Sequence, residues 1–372
     1  MKIAVFYYTQ SGQALNVARS ICSKMNDVSV VYKEIVPLTT YPFPWSKNAF
    51  FDAFPETRLG IPPSGIVPMD FSDVEDAGLV LVVGQSWFLS PSLPLQSFFT
   101  DEQVKQYLSG RKVVFVNACR NMWLMTSRKV KAYLSDAHAK MVGQIVLQDE
   151  APNLVSVITV IRWLIYGKKE GNELLPSSGI SDASIKESSR FGVIIADALR
   201  NNDLSQLQEL LLSAGAIKYK ASILFLEKAG HRMFGLWAKF VRKKGNYGNP
   251  RRIPRLNLFY AYLLTVLFVV SPFGQLFFYL TYPLLVTGEP GTGKTFYARL
   301  IHASSKRKKD PCIPVNTAAI PDSRAAEILF GTEGSAGVRP GLFETAGSGT
   351  ILPLKAAVLA TAINHCCVRH LQ

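Results

Sequence analysis

The opening residues MKIAVFYYTQSGQALNVARS (1–20) read as a buried strand, a turn and the start of a helix. Ile3–Tyr8 is a continuous apolar run beside a single charge, Lys2, and no small-residue cleavage site follows, so a secretory leader is not expected. Further apolar runs bounded by turn signals recur at Val28–Ile35, Leu79–Gly84, Val113–Ala118 and Gln144–Gln148. Helix-like stretches at Ala14–Lys24, Leu95–Leu108 and Arg128–Leu134 separate most of them. Strands that are apolar on both faces and alternate with helices predict an α/β domain over residues 1–150, with a doubly wound parallel sheet. Ligands of such sheets lie at the carboxyl ends of the strands.

After the first strand, TQSGQA (9–14) offers hydroxyls at Thr9 and Ser11, a permissive Gly12 and the free amides of a helix start. Those groups can wrap a phosphate without a cationic side chain. An ordinary strand-to-helix turn capped by Ser11 accounts for the same residues. GQSWFLSPSLP (84–94) follows the third strand and NACRNMW (117–123) the fourth, on the same rim. Trp87, Phe88 and Trp123 are candidates to sandwich a planar ring, and Ser86 and Asn117 to hydrogen-bond its edge. Cys119, with His138 the nearest histidine in this half, reads as a small buried residue rather than a nucleophile.

YYTQSGQA and GQSWFLSPSLP resemble the flavodoxin-like flavoproteins, whose first loop carries a T-x-[ST]-G-x-[TA] grip for FMN. Over roughly residues 1–283 the chain is similar to the bacterial dialkylresorcinol condensing enzyme family. That resemblance implies a flavin-linked oxidation of a cyclic dione to an aromatic ring, on a lipid-like or polyketide substrate. It would give the FMN phosphate to Thr9, Ser11, Gly12 and Gln13. Ser86, Trp87, Phe88, Asn117 and Cys119 would border the isoalloxazine ring.

The chain has 372 residues, and its five cysteines are scattered and odd in number, so a disulfide framework is not expected. Of the net charge of +14, residues 217–255 hold eleven Lys/Arg against one Glu. Residues 151–255 read as helical. Within them Leu226, Met233, Trp237 and Phe240 share one helical face, and Lys228, Arg232, Lys239 and Lys243 another. A basic amphipathic helix predicts contact with a membrane surface through 217–282. No nucleic-acid recognition motif accompanies the charge. Residues 256–288 hold no charged side chain in 33 positions, with Pro272 near the middle, so 256–283 is expected to associate with the membrane. The cytoplasmic face of a bacterial inner membrane is the expected location.

LLVTGEPGTGKT (284–295) matches the phosphate-binding pattern G-x-x-x-x-G-K-[ST]. Gly288, Glu289, Gly291, Thr292, Gly293, Lys294 and Thr295 are the expected ATP contacts, with Thr295 on Mg²⁺. The text from 288 to 331 and RPGLFETAGSGTI (339–351) resembles the start of the AAA+ module of sigma-54-dependent transcription activators. Two departures limit what that resemblance implies. TEGSAGV (332–338) replaces the GAFTGA loop that touches the sigma factor, so sigma-54 polymerase is not an expected partner. No Asp or Glu follows Glu344 where the family reads GTLFLDE, so ATP hydrolysis is not expected. The tail 352–372 is unassigned, and its HCCVRH lacks metal-site spacing.

If 256–282 crossed a bilayer once, the phosphate loop would emerge opposite the basic flank. If it only dips, the strand at Leu284 starts with no linker. The chain therefore reads as a flavodoxin-like oxidoreductase joined near 284 to a truncated AAA+ fragment. The alternative is an ATP-binding sigma-54-dependent regulator with the N-terminal half as an accessory domain.

Overall fold

In the computed structural model the apolar runs pair as one parallel sheet. The residues described are 1–218, 221–270 and 272–273, with short pieces at 302–303, 310–315, 331–334, 337–341, 344–345 and 350–353. Strands β1 (Lys2–Tyr7), β2 (Ser29–Glu34), β3 (Leu79–Trp87), β5 (Lys112–Cys119) and β6 (Lys140–Gln148) lie in the order β2-β1-β3-β5-β6. All four neighbouring pairs are parallel, with Ile3 opposite both Val30 and Leu79. Parallel neighbours need crossovers, and the helices between strands supply them. A five-stranded 2-1-3-4-5 order is the flavodoxin-like doubly wound topology, whose switch point lies between the first and third strands.

The side-chain period of two splits β1 between two cores. Ile3 and Val5 pack with Val17, Ile21 and Phe191 on one face; Ala4 and Phe6 pack with Phe98, Phe115 and Leu134 on the other. The first face is covered by α1 (Gln13–Cys22), and later by α8 (Asp182–Glu187), α9 (Ser189–Arg200) and α10 (Leu207–Ser213). Between β2 and β3 stand two short helices, α2 (Lys47–Asp52) and α3 (Phe54–Leu59). The expected single helix over 95–108 is two, α4 (Leu93–Thr100) and α5 (Glu102–Leu108), because Asp101 accepts from the Val104 N–H at 3.1 Å and restarts the chain as an N-cap. Helix α6 (Leu124–Asp136) follows β5, and α7 (Asn153–Tyr166) follows β6.

Beyond Phe88 and Leu89 the chain doubles back, and the short β4 (Ser90–Pro91) pairs antiparallel with the end of β3. Both turn residues are left-handed, φ 46° and 61°. Two-residue hairpins favour that geometry, but glycine or asparagine normally provides it. Bulky residues held there mark a strained turn at the carboxyl edge of the sheet.

Helix α11 (Ala221–Arg242) and α12 (Ile253–Thr265) build a third core with α2 and α3, in which Phe54 and Phe259 stack at 3.8 Å. Here two expectations are corrected. Trp237, placed by periodicity on the apolar face expected to meet a membrane, packs against α12 instead: its ring lies 4.9 Å from Tyr262 and 5.7 Å from Phe259. Arg252, counted with the membrane-facing charges, is fully buried against Glu56 and Asp52. The helical run Pro250–Val270 has 21 residues, a mean hydropathy of 1.7 and 11% of its apolar window buried, and is long and apolar enough to cross a membrane. Leu258, Val269 and Val270 are exposed along it.

The chain divides into two compact units, one of 1–218 with 223–274 and one of 275–372 with 219–222. The division falls inside the uncharged run. In the second unit β7 (Cys312–Val315) pairs in parallel with β10 (Thr350–Pro353), and β8 (Gly331–Gly334) pairs antiparallel with β9 (Gly337–Pro340). Of TEGSAGV, residues 332–334 and 337–338 thus lie on paired antiparallel strands. Gly288–Thr295, residues 274–283 and the HCCVRH tail lie outside the described residues.

Candidate functional site

The carboxyl ends of β1, β3 and β5 meet at the switch point of the first unit. Tyr8 continues β1 by donating its N–H to the Val83 carbonyl at 3.0 Å, and Thr9–Gly12 then turns into α1. Gly12 caps that helix at φ 82° with no side-chain hydrogen bond, and a Cβ placed on it would meet nothing within 4 Å. An L side chain is disfavoured at that φ, and the uncapped first turn keeps its amides and the positive end of its dipole for an anion. The Thr9 hydroxyl oxygen is buried without a hydrogen-bond partner. The Ser11 side chain is half-buried beside it in the loop.

Gln13 does something the sequence does not reveal. Its amide donates to the Ile180 carbonyl at 3.0 Å and accepts from the Ile180 N–H at 3.3 Å. The side chain is spent pinning a distant segment to the loop, and its contribution to a bound anion is reduced to its backbone N–H.

On the neighbouring strands, the fully buried Asn117 side chain and the Ser86 hydroxyl are hydrogen-bonded at 3.0–3.1 Å. Two further polar atoms are buried without partners, Gln85 Nε2 and Asn121 Oδ1. The Asn121 amide nitrogen meanwhile donates to Asn153 Oδ1 at 2.7 Å. Neither residue is singled out by the sequence, although Gln85 adjoins Ser86 and Asn121 lies two positions from Cys119 and from Trp123.

The three aromatics do not form a ring sandwich. Trp87 is buried edge-on against Tyr8, Tyr41 and Trp45, with centroids 6.0, 5.3 and 5.4 Å away. Phe88 turns into the third core, 4.8 Å from Phe50 and 5.2 Å from Phe54. Trp123 is buried at the start of α6. Cys119 is buried at the end of β5, and burial, helped by the Glu227 carboxylate, pushes its thiol far above the usual range. It is therefore a neutral thiol at pH 7. Among the described residues no group of three His, Cys, Asp or Glu side chains is placed to hold a metal ion.

Residues 275–363 match the Sigma-54 interaction domain family. The nitric oxide reductase transcription regulator NorR2 of Cupriavidus necator is 40% identical over 95 residues, 24% of this chain and 18% of that protein. The regulatory protein AtoC of Escherichia coli is 49% identical over 74 residues, 18% of this chain and 16% of that protein. The chain thus spans less than a fifth of the length of these curated relatives. Among solved structures, a flavoprotein in complex with FMN from Lactobacillus acidophilus is similar over 39% of this chain and 92% of its own, at 19% identity and a TM-score of 0.33. The flavodoxin-like topology of the first unit rests on its own strand order.

Proposed function

We propose that the first unit is an FMN-binding redox domain. The observation that carries this reading is the set of three buried, unpartnered polar atoms, Thr9 Oγ1, Gln85 Nε2 and Asn121 Oδ1, on the loops and strand ends of β1, β3 and β5. A buried polar atom without a partner costs about 1–3 kcal/mol, so three together point to a polar ligand that completes them. The Thr9 hydroxyl would donate to a phosphate oxygen, Gly12 would let the backbone approach it, and the α1 amides would share its charge. Gln85 would donate to a planar ring and Asn121 accept from it, while Tyr8 and Trp87 keep water out from below. Bound FMN supplies one- and two-electron transfer that no side chain here provides.

Thr9→Val is the discriminating substitution, because it keeps the shape and removes only the orphaned hydroxyl. FMN affinity measured by quenching of flavin fluorescence is expected to fall roughly 10- to 100-fold, the value of a charge-assisted hydrogen bond. The thermal midpoint of the apoprotein should hold or rise. Equal FMN affinity in the two proteins, or no binding by either, would sink the reading.

A cyclic-dione precursor of a dialkylresorcinol is the proposed substrate class, supported by the resemblance in the loops. Attachment to the cytoplasmic face of the inner membrane belongs to the same proposal, supported by the exposed apolar run Pro250–Val270. Flotation of the full chain on liposomes tests that attachment.

The match over 275–363 favours a second reading, in which the chain is an ATP-binding regulator of the sigma-54 class and the first unit its accessory domain. Lys294 carries that reading as the cation of the phosphate loop. ATP binding by the full chain, abolished in Lys294→Ala, is the expected result. Binding that survives the substitution would remove the loop from the account.

A further inference from the structure

Away from the sheet edge, α3, α6 and α11 enclose a cleft of about 590 Å³. Five cations line it: Arg58 from α3, Arg128 and Lys129 from α6, and Lys228 and Arg232 from α11. No carboxylate is among the lining residues. The nearest acid in sequence, Glu227, is buried behind the wall, accepting from the Met125 N–H at 2.7 Å and the Leu124 N–H at 3.2 Å at the start of α6, and of the lining cations Arg128 acts on its carboxylate.

Two of these cations, Arg58 and Lys129, are positioned by neutral partners. Arg58 donates twice to the His231 carbonyl, at 2.9 and 2.7 Å, and Lys129 donates to Gln96 Oε1 at 3.0 Å. Among the described residues, Arg58, Arg128, Lys129 and Arg232 form no ion pair within 4.0 Å. His231 adds a ring nitrogen, Nδ1, that is buried with no partner. Burial first, and then Arg58, push its imidazole down to about 4, so it is neutral at pH 7. Burial and the same arginine push Lys129 down to about 8. Like charges gathered in a concave, partly desolvated site repel one another unless an anion fills it.

We infer that this cleft binds a multiply charged phosphate group, with the fork of Arg58 fixed in place and the exposed Arg128 and Arg232 closing on the anion. Guanidinium pairs suit phosphate oxygens because they bond bidentately. Leu59 and Met125 give the same cleft an apolar edge for whatever carries the phosphate. The basic face of α11, which sequence alone assigns to a membrane surface, is in its first half the wall of this cleft. A soluble phosphorylated ligand and an anionic lipid head group present the same chemistry to it.

Arg128→Gln/Arg232→Gln in the full chain is the test, since both side chains are exposed and neither stands within 4.0 Å of a carboxylate among the described residues. Calorimetric titration with inorganic pyrophosphate identifies a soluble source, and co-sedimentation with vesicles containing phosphatidic acid, a phosphomonoester lipid, a lipid source. Lys239→Gln/Lys243→Gln removes the same charge from exposed positions outside the cleft and is the control. The expected result is at least a tenfold loss of pyrophosphate or vesicle binding in the cleft variant, with the control and Lys294→Ala close to wild type. No binding of either probe, or an equal loss in cleft variant and control, overturns the inference.

Discussion

Glu56→Ala is expected to destabilise the first unit by about 3–5 kcal/mol, the usual cost of stranding one partner of a buried ion pair. Arg252 is fully buried and donates to Glu56 Oε2 at 2.7 Å and Oε1 at 3.2 Å. It also reaches the Asp52 carbonyl at 3.1 Å and the Asp52 carboxylate at 3.3 Å. Arg242 stands 3.5 Å from the same Glu56 carboxylate. Burial pushes the Glu56 carboxyl upward, and the two arginines act against that shift. Removing Glu56 leaves the buried Arg252 with Asp52 alone and strips Arg242 of its carboxylate, in the corner where α11 and α12 join α2 and α3. Glu56→Met/Arg252→Met removes both charges together and should recover most of the loss, because apolar replacement of a whole buried pair is often neutral. Urea unfolding at pH 7 separates the two variants. A single-variant loss under about 1 kcal/mol would show that water reaches the pair and solvates the stranded arginine.

The sheet was legible because its strands are long apolar runs between turn signals, and both faces of each run are buried. The parallel order follows from the intervening helices. The turn after β1 was legible as a strand-to-helix turn, although Gly12 rather than Ser11 stands at the N-cap, in the left-handed region that favours glycine. What could not be read were contacts between residues far apart in the chain. Gln13 looks like a phosphate ligand until Ile180, 167 positions later, takes both ends of its amide. Trp87 looks like a ring platform until Tyr41 and Trp45 close on it from the segment before α2. Periodicity found the two faces of α11, but periodicity says only that faces differ and not what covers them. Trp237 is covered by α12, whereas Lys228 and Arg232 line the cleft. A charge count likewise treats Arg252 as one more surface cation, and only packing shows it to be fully buried.

Gly192→Ala tests whether the loop that starts α1 depends on the helices behind it. A Cβ at Gly192 would stand 1.8 Å from the Ile21 carbonyl oxygen and 2.9 Å from its carbon. Those atoms are backbone, so no rotamer change relieves the overlap, and α9 must move off α1. A loss of at least about 3 kcal/mol is expected, at or beyond the upper end of ordinary overpacking. Gly78→Ala is the matched control, because its Cβ would meet only the Lys2 carbonyl oxygen, at 4.0 Å, an ordinary contact. That change should fall within about 0.5 kcal/mol of wild type. The consequence reaches the proposed flavin site through α1 itself, which is held along its length by α8 and α9. Ser20 donates to the Ile185 carbonyl, and Gln13 holds Ile180 at the other end. If α9 is displaced, the Thr9–Gly12 loop loses its support and FMN affinity should fall together with stability, whereas Thr9→Val lowers affinity alone. Stability that drops with affinity unchanged would mean that the loop is shaped by β1 and its own turn, independently of the helices packed against α1.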